Sequence, residues 1–155
     1  MPVPMKRIMI VFVLLSCFYS SCNKCEDIAC TSPPEPFLFK MMDKNGKNIS
    51  ASFTNAVLRY TEIGLTKEIK LLKTVTSGQE AIFTSNELGW VSAAMKGEES
   101  FELVLDEKAR GKLGCEVIQK SENCCSFFKT EKITFNEISM LGKKDQDFSY
   151  LLMIE

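Results

Sequence analysis

The stretch Phe-Glu-Leu-Val-Leu-Asp at residues 101–106 decides the fold class. Phe101, Leu103 and Leu105 place large apolar side chains at every second position. Because side chains on a strand alternate between its two faces, this period predicts a β-strand with one face toward a core.

The same pattern recurs on both sides of this stretch. Apolar residues with a period of two, bounded by turn residues, occur in segments 37–41, 69–75, 81–84, 90–95, 114–119, 125–135 and 148–154. About eight short strands at this spacing are typical of sandwiches. The sequence therefore predicts an all-β fold, a single β-sandwich of the immunoglobulin-like or transthyretin-like kind.

Two turns are predicted to join neighbouring strands as hairpins. Asn45-Gly46 follows the first strand segment, and Asn-Gly is the strongest short signal for a hairpin turn. Residues 121–123, Ser-Glu-Asn, are predicted to form the centre of a later hairpin. A tight turn there would place Cys115 opposite Phe128.

Two segments also have apolar residues at the spacing of a helix. The first, residues 86–96, begins at Asn86, a residue type that caps helix N-termini. If both segments were helical the fold would be α+β, and this alternative stays open. The residues at helical spacing are Leu88, Val91 and Met95 in the first segment and Leu65, Ile69 and Leu72 in the second.

The composition fits one domain and excludes several functional classes. The chain has 155 residues, of which 45% are hydrophobic and 25% are charged. Its 19 basic residues balance 20 acidic ones, so no basic surface attracts nucleic acid. Histidine is absent, which removes imidazole-based triads and zinc sites with His ligands. We expect no nucleic-acid partner, no cofactor, no metal and no enzymatic activity.

The first residues are organised as a secretory signal. Two basic residues at 6–7 precede an apolar run at 8–19, and small residues at 20–21 precede Cys22. The apolar run is about a dozen residues long, whereas a helix needs roughly 20 to cross a bilayer. Residues 1–21 are therefore predicted to be a signal peptide that is removed.

The residues before Cys22 resemble a bacterial lipobox. In that motif, signal peptidase II cleaves before a Cys that then carries the lipid, so the resemblance of Phe-Tyr-Ser-Ser-Cys at 18–22 implies lipidation of Cys22. Tyr19 departs from the pattern, which usually has an aliphatic residue there. Cys17 is a second candidate, but cleavage there would shorten the apolar run. In another alternative, Cys22 forms a disulfide after ordinary signal cleavage.

The start of the mature chain resembles small lipoproteins of Bacteroidota. Acidic residues soon after the lipidated Cys accompany export to the outer face of the outer membrane in that group, and Glu26-Asp27 follow Cys22 here, with Lys24 intervening. The Cys124-Cys125 pair, which opens a strand ending at residues 133–136, is a second similarity. The resemblance implies a lipid-anchored outer-membrane protein exposed at the cell surface, and it transfers no active site.

Residues 22–36 are predicted to be a lipidated Cys followed by a tether. All five prolines of the chain lie within the first 36 residues, and three of them, at 33, 34 and 36, favour extended backbone. At about 3 Å per residue this segment would hold the domain, residues 37–155, some 40 Å from the lipid. Alternatively, the segment lies along the domain.

Five cysteines remain for disulfides after the leader and the lipidated residue are excluded. Cys25 and Cys30 enclose four residues, and Cys115, Cys124 and Cys125 form a second cluster. We expect a structural disulfide and a spare thiol, because exported proteins form disulfides and five is an odd number. Neither C-x-x-C spacing nor histidine points to a metal or redox site.

Other motif matches are weak. Ser126 and Lys129 match the S-x-x-K pattern of penicillin-binding enzymes, but the partner motifs S-D-N and K-T-G are missing. Residues 43–48 have the composition of a calcium loop, yet the glycine stands two positions early, and a hairpin turn explains the segment better. The acidic pair Asp145 and Asp147 is interpreted as solvated turn charge.

These observations together predict a lipid-anchored, non-enzymatic binding or structural module whose partner is an envelope protein or glycan. The alternative is an enzyme that acts on envelope polysaccharide, or an accessory to one, with Trp90, Tyr60 and Tyr150 as candidates for stacking on sugars. That alternative requires an exposed aromatic row beside two carboxylates about 5 to 10 Å apart. A third is a subunit of a surface complex, which a broad exposed apolar patch would indicate.

Overall fold

Two β-sheets contain most of the described residues. The structure is a computed structural model that describes residues 30–75, 80–95, 97, 99–122 and 125–154. The strands are β1 (Cys30–Thr31), β2 (Phe37–Met42), β3 (Ala56–Glu62), β4 (Leu65–Lys70), β5 (Leu72–Val75), β6 (Ala81–Ser85), β7 (Glu99–Leu105), β8 (Lys108–Glu122), β9 (Cys125–Phe135), β10 (Ile138–Ser139) and β11 (Tyr150–Met153). One α-helix, α1 (Leu88–Met95), and a 3-10 turn at Ser50–Ser52 accompany them. The predicted all-β class is confirmed.

The two sheets form a sandwich around one core. The first sheet has the strand order β1-β9-β8-β7-β3-β4, with β10 also paired to β9, and the second has the order β11-β2-β6-β5. The pairs β1 with β9 and β11 with β2 are parallel, and the other pairs are antiparallel. The chain passes from β4 to β5 at the buried Leu71, which joins one edge of each sheet.

The core confirms the period-two pattern of the sequence. Fully buried side chains come from both sheets, so the sheets pack face to face. The largest described ones are Phe39, Met41, Phe83 and Leu152 from one sheet, Leu58, Ile69, Phe101, Leu103, Leu105, Leu113 and Ile133 from the other, and Leu88 from the helix.

The segment at residues 88–95 is a helix, so the strand predicted at 90–95 is wrong and the helical alternative is right for this segment. The backbone N–H of Leu88 donates to Ser85 Oγ at 3.0 Å, so Ser85 caps the helix where Asn86 was expected. The second segment with helical spacing is extended instead, because it supplies β4 and β5.

The hairpin between β8 and β9 exists, but its predicted register is wrong. Glu122 pairs with Cys125, which puts the two-residue connection at positions 123–124, outside the described residues. Cys115 consequently lies opposite Ile133 and not opposite Phe128. A bulge adds to the shift, because Glu116 pairs with Lys132 whereas Val117 pairs with Thr130.

The proline-containing segment lies along the domain from Cys30 onward. Cys30 and Thr31 pair in parallel with Cys125 and Ser126, and Pro34 is buried against the helix. The tether prediction is therefore wrong for residues 30–36, because backbone pairing and a disulfide fix this part of the chain to the sheet. Residues 22–29, including Cys22 and Cys25, lie outside the described residues.

Candidate functional site

A disulfide joins Cys30 to Cys125 across 95 positions of the sequence. Cys30 is therefore bonded to a member of the second cluster and not to its near neighbour Cys25. Cys115, from the second cluster, is a buried free thiol, and burial raises its pKa to about 12, although contact with Ser92 opposes this shift. A thiol with such a pKa stays protonated near neutral pH and is not a nucleophile. Cys124 lies outside the described residues.

A cleft opens beside this disulfide, between the proline-containing segment, β9 and the loop before β11. Its volume is about 300 Å³. The residues that line it are Pro34, Glu35, Phe37, Val117, Phe128, Lys129, Thr130, Leu141, Gly142, Lys144 and Tyr150. Both sheets contribute to this lining, so the cleft lies at the open side of the sandwich, opposite the β4–β5 connection.

Aromatic and apolar side chains form the floor of the cleft. The rings of Phe37 and Tyr150 stack with centroids 6.1 Å apart, and Phe39 continues the stack in the core. Tyr150 is buried, and burial is the main cause that raises the pKa of its phenol to about 12. Val117 adds an aliphatic surface from β8. A floor of this kind suits an apolar group of a ligand.

Lysines dominate the rim of the cleft. Lys144 Nζ lies 5.2 Å from the centre of the Tyr150 ring and 3.7 Å from a Glu35 carboxylate oxygen. Lys129 lies on the opposite side, where its Nζ and that of Lys120 lie 3.1 and 2.9 Å from the same oxygen of Glu131. Hydrogen bonds from these two lysines lower the pKa of Glu131. Two cations on this side of the cleft thus share the carboxylate of Glu131.

The three aromatic residues proposed for sugar stacking do not form one exposed row. Tyr150 lies in the floor of the cleft and is buried. Trp90 is 48% exposed and makes a T-shaped, edge-to-face contact with Phe128 of the cleft, with centroids 4.8 Å apart. Tyr60 packs on Phe101 and lines a different, polar cavity on the outer side of the first sheet.

Asp145 and Asp147 both pair with Lys40, and Asp147 is also a solvated turn charge as predicted, because its side chain is 57% exposed, whereas that of Asp145 is 20% exposed. The Nζ of this buried lysine, whose side chain is 8% exposed, lies 2.8 Å from Asp145, 2.5 Å from Asp147 and 3.5 Å from Glu80. Hydrogen bonds to the two aspartates raise the pKa of Lys40. Burial alone would raise the pKa of Asp145, but hydrogen bonds from Lys40 and from the Ser149 backbone bring it below its usual range. This cluster fixes the loop before β11 to β2.

The remaining motif matches carry no chemistry. Ser126 and Lys129 lie on an extended strand, where residues three apart face opposite sides, and Lys129 contacts Glu131 instead. The Asp43 carboxylate accepts hydrogen bonds from the backbone of Asn45 and Lys47, so this segment is the predicted turn. The predicted hairpin is wrong, because only a single bridge joins Met42 to Asn48 and β2 pairs with β6 and β11. Across the described ranges, no group of three Cys, Asp or Glu residues could hold a metal ion.

A second, more apolar groove of about 310 Å³ follows the edge strand β11. It is lined by Phe135, Asn136, Ile138, Met140, Leu151 and Met153, and the side chains of Ile138, Leu151 and Met153 are exposed. Exposed apolar side chains next to an edge strand are the feature expected of a subunit in a larger complex.

No family model, no curated protein and no solved structure matches the chain. Within the part of the chain that the structure describes, no helix is long and apolar enough to cross a membrane. The predicted lipidation residue, Cys22, precedes the described part.

Proposed function

We propose that this protein is a lipid-anchored, non-enzymatic binding module of the bacterial cell envelope, held at the outer membrane by acylated Cys22 and exposed at the cell surface. The observation that carries this proposal is the Cys30–Cys125 disulfide. Structural disulfides form and persist in oxidising compartments and are rare in the cytosol. The bond therefore supports export, which the leader at residues 1–21 also indicates.

The proposed anchor would hold the domain on a short segment. Cys30 is only eight positions after Cys22, and it is already fixed to the first sheet. Because an extended chain spans at most about 3.5 Å per residue, the point of attachment lies within about 28 Å of the lipidated residue. The next residues, including Glu35, line the cleft. The cleft is thus presented near the membrane surface.

The chemistry of the cleft supports binding rather than catalysis. Glycoside hydrolysis normally uses two carboxylates, whereas Glu35 is the only acidic residue among those that line the cleft. Tyr150, with its raised pKa, stays protonated near neutral pH and does not act as a base. The polysaccharide-acting alternative therefore has less support than a binding role.

A second candidate function, a subunit of a surface complex, is favoured by the groove along β11. Its exposed Leu151 and Met153 lie on an edge strand that carries no charge. The two candidates share the lipid anchor and differ in which surface the partner covers.

The anchor can be tested in cells that make the full-length chain. Globomycin should cause the uncleaved precursor to accumulate, and Cys22→Ala should abolish labelling with radioactive palmitate. Cys17→Ala is the matched control and should leave labelling unchanged. If Cys22→Ala is labelled and processed like the wild type, the proposed anchor is wrong.

A further inference from the structure

The outer edge of β9 is paired at both ends and open in the middle. At its start, β1 pairs with Cys125 and Ser126. At its end, β10 pairs with Thr134 and Phe135, and Met140 N donates to Ile133 O at 2.9 Å. Among the described strands, none pairs with this edge between Ser126 and Ile133. The gap is six residues long.

The alternation of a strand identifies the backbone groups that face the gap. Ser126 O points to the outer edge, because it accepts a hydrogen bond from Ser32 N at 3.0 Å. Peptide groups two positions apart point to the same edge, so the N–H and C=O of Phe128 and Thr130 also face outward. Glu131 is the extra residue of the bulge and shifts the alternation by one position. The peptide group of Ile133, an odd-numbered residue, therefore also faces this edge.

The described part of the chain does not fill the gap. After Ser32 come Pro33, Pro34 and Pro36, none of which has an N–H to donate, so the parallel pairing begun by β1 stops. The cleft occupies the space that a continued strand would take, since Phe128, Lys129 and Thr130 all line it. The unpaired edge of β9 therefore borders the cleft and its aromatic floor.

The charge around the gap indicates which peptide would fit. Lys120 and Lys129 share the carboxylate of Glu131, and Lys144, across the cleft, has its Glu35 partner at the longer distance of 3.7 Å. The described lining of the cleft contains two lysines, Lys129 and Lys144, and one acidic residue, Glu35, and this balance favours a ligand with carboxylates.

We propose that the cleft binds an extended acidic peptide segment of a partner protein as an added strand along β9. The segment would hydrogen-bond with the outward peptide groups of Phe128 and Thr130, place one apolar side chain on the floor beside Val117, and pair its carboxylates with Lys129 and Lys144. This is recognition by strand addition, in which backbone hydrogen bonds give affinity and pockets for alternate side chains give specificity. It rests on the proposed function as a binding module.

Three synthetic pentapeptides test this proposal on the full chain purified in detergent. The first alternates glutamate with valine, the second alternates lysine with valine, and the third repeats the first with N-methylated valines. Hydrogen exchange followed by mass spectrometry should show that the first peptide protects residues 127–132, the second does not, and the third binds at least tenfold more weakly. Absence of binding by the first peptide at millimolar concentration, protection elsewhere, or equal binding of the methylated peptide overturns the proposal.

Charge reversal gives a second readout. Lys129→Glu combined with Lys144→Glu should weaken binding of the acidic peptide at least tenfold and make the basic peptide the better ligand. Lys70→Glu, on the exposed face of the far edge strand β4, is the matched control and should change neither affinity. An unchanged preference in the double variant contradicts the proposal. These results do not depend on palmitate labelling, so failure here leaves the lipid anchor standing.

Discussion

Cys30 and Cys125 are joined twice, as register partners of the parallel pair β1 and β9 and as the two halves of a disulfide, with their Cα atoms 4.7 Å apart. The bond fixes β1 to the edge of the first sheet at the place where the open stretch of β9 begins. The wall of the cleft formed by Pro34 and Glu35 follows four and five residues later. The disulfide thus stabilises the domain and also holds one side of the candidate binding site.

Removing this disulfide should lower stability strongly. Because the bond closes a loop of 95 residues, the chain-entropy estimate gives a loss of about 4.7 kcal/mol in the free energy of unfolding. Urea denaturation of Cys30→Ser, Cys125→Ser and the double variant should show nearly equal losses, since each removes the same bond. Losses in the single variants that add up in the double variant would show that the two cysteines do not bond to each other.

The contact between Gly89 and Pro34 tests whether the proline-containing segment is docked on the helix. A Cβ at Gly89 would lie 2.5 Å from Pro34 Cβ, so Gly89→Ala should destabilise the protein by about 1 to 3 kcal/mol through overpacking. With Pro34→Gly in the background, the clash is gone and the better helix propensity of alanine should stabilise by up to about 1 kcal/mol. Thermal unfolding of the wild type, the two single variants and the double variant measures whether the effect of Gly89→Ala on stability changes sign. The same effect in both backgrounds would mean that the proline-containing segment is not docked on the helix.

The ion pair of Lys40 should make stability depend on pH in the acid range. The pKa of Asp145 is lowered in the folded state, so its contribution is fully present above the unfolded value of about 3.9 and is lost as pH falls through the folded value. Lys40→Met should lower the free energy of unfolding at pH 7 by about 2 kcal/mol, because it leaves a partly buried carboxylate without its cation. Urea denaturation between pH 7 and pH 2 should also show a weaker acid dependence in the variant. An unchanged slope would contradict the assigned role of this pair.

Substitution of Ile63 should raise the stability of the protein. It occupies the first position of the two-residue turn between β3 and β4, with φ of 51°, and its side chain is 96% exposed. A β-branched residue is strained in this left-handed conformation, which Asn adopts readily in an Asn-Gly turn. Ile63→Asn should therefore stabilise the protein by about 1 kcal/mol in thermal unfolding, whereas Gly64→Ala, at φ of 76°, should destabilise it. A lower melting temperature for Ile63→Asn would refute the assigned strain.

The strands were predictable because their signal is local. Phe101, Leu103 and Leu105 are all buried in β7, as their spacing predicts, and Asn45-Gly46 forms a turn. The helix at residues 88–95 was ambiguous, because a short apolar run fits a strand as well as a buried helix.

The cleft and the ion pair were not predictable, since they depend on contacts between distant segments. Lys40 lies in a strand in which apolar residues otherwise occupy every second position. Nothing in the neighbouring sequence indicates that Asp145 and Asp147, more than 100 residues later, pair with this lysine. The pairing of Cys30 with Cys125 likewise follows from the parallel placement of β1 on β9, which the sequence does not specify.

Intact-mass spectrometry of the protein extracted from envelope membranes tests the central claim most directly. The account predicts a chain that begins at Cys22 and carries the added mass of the acyl groups. A chain that begins at any other residue, or a Cys22 whose sulfur is bonded to another cysteine, would contradict the lipid-anchored module proposed for this protein.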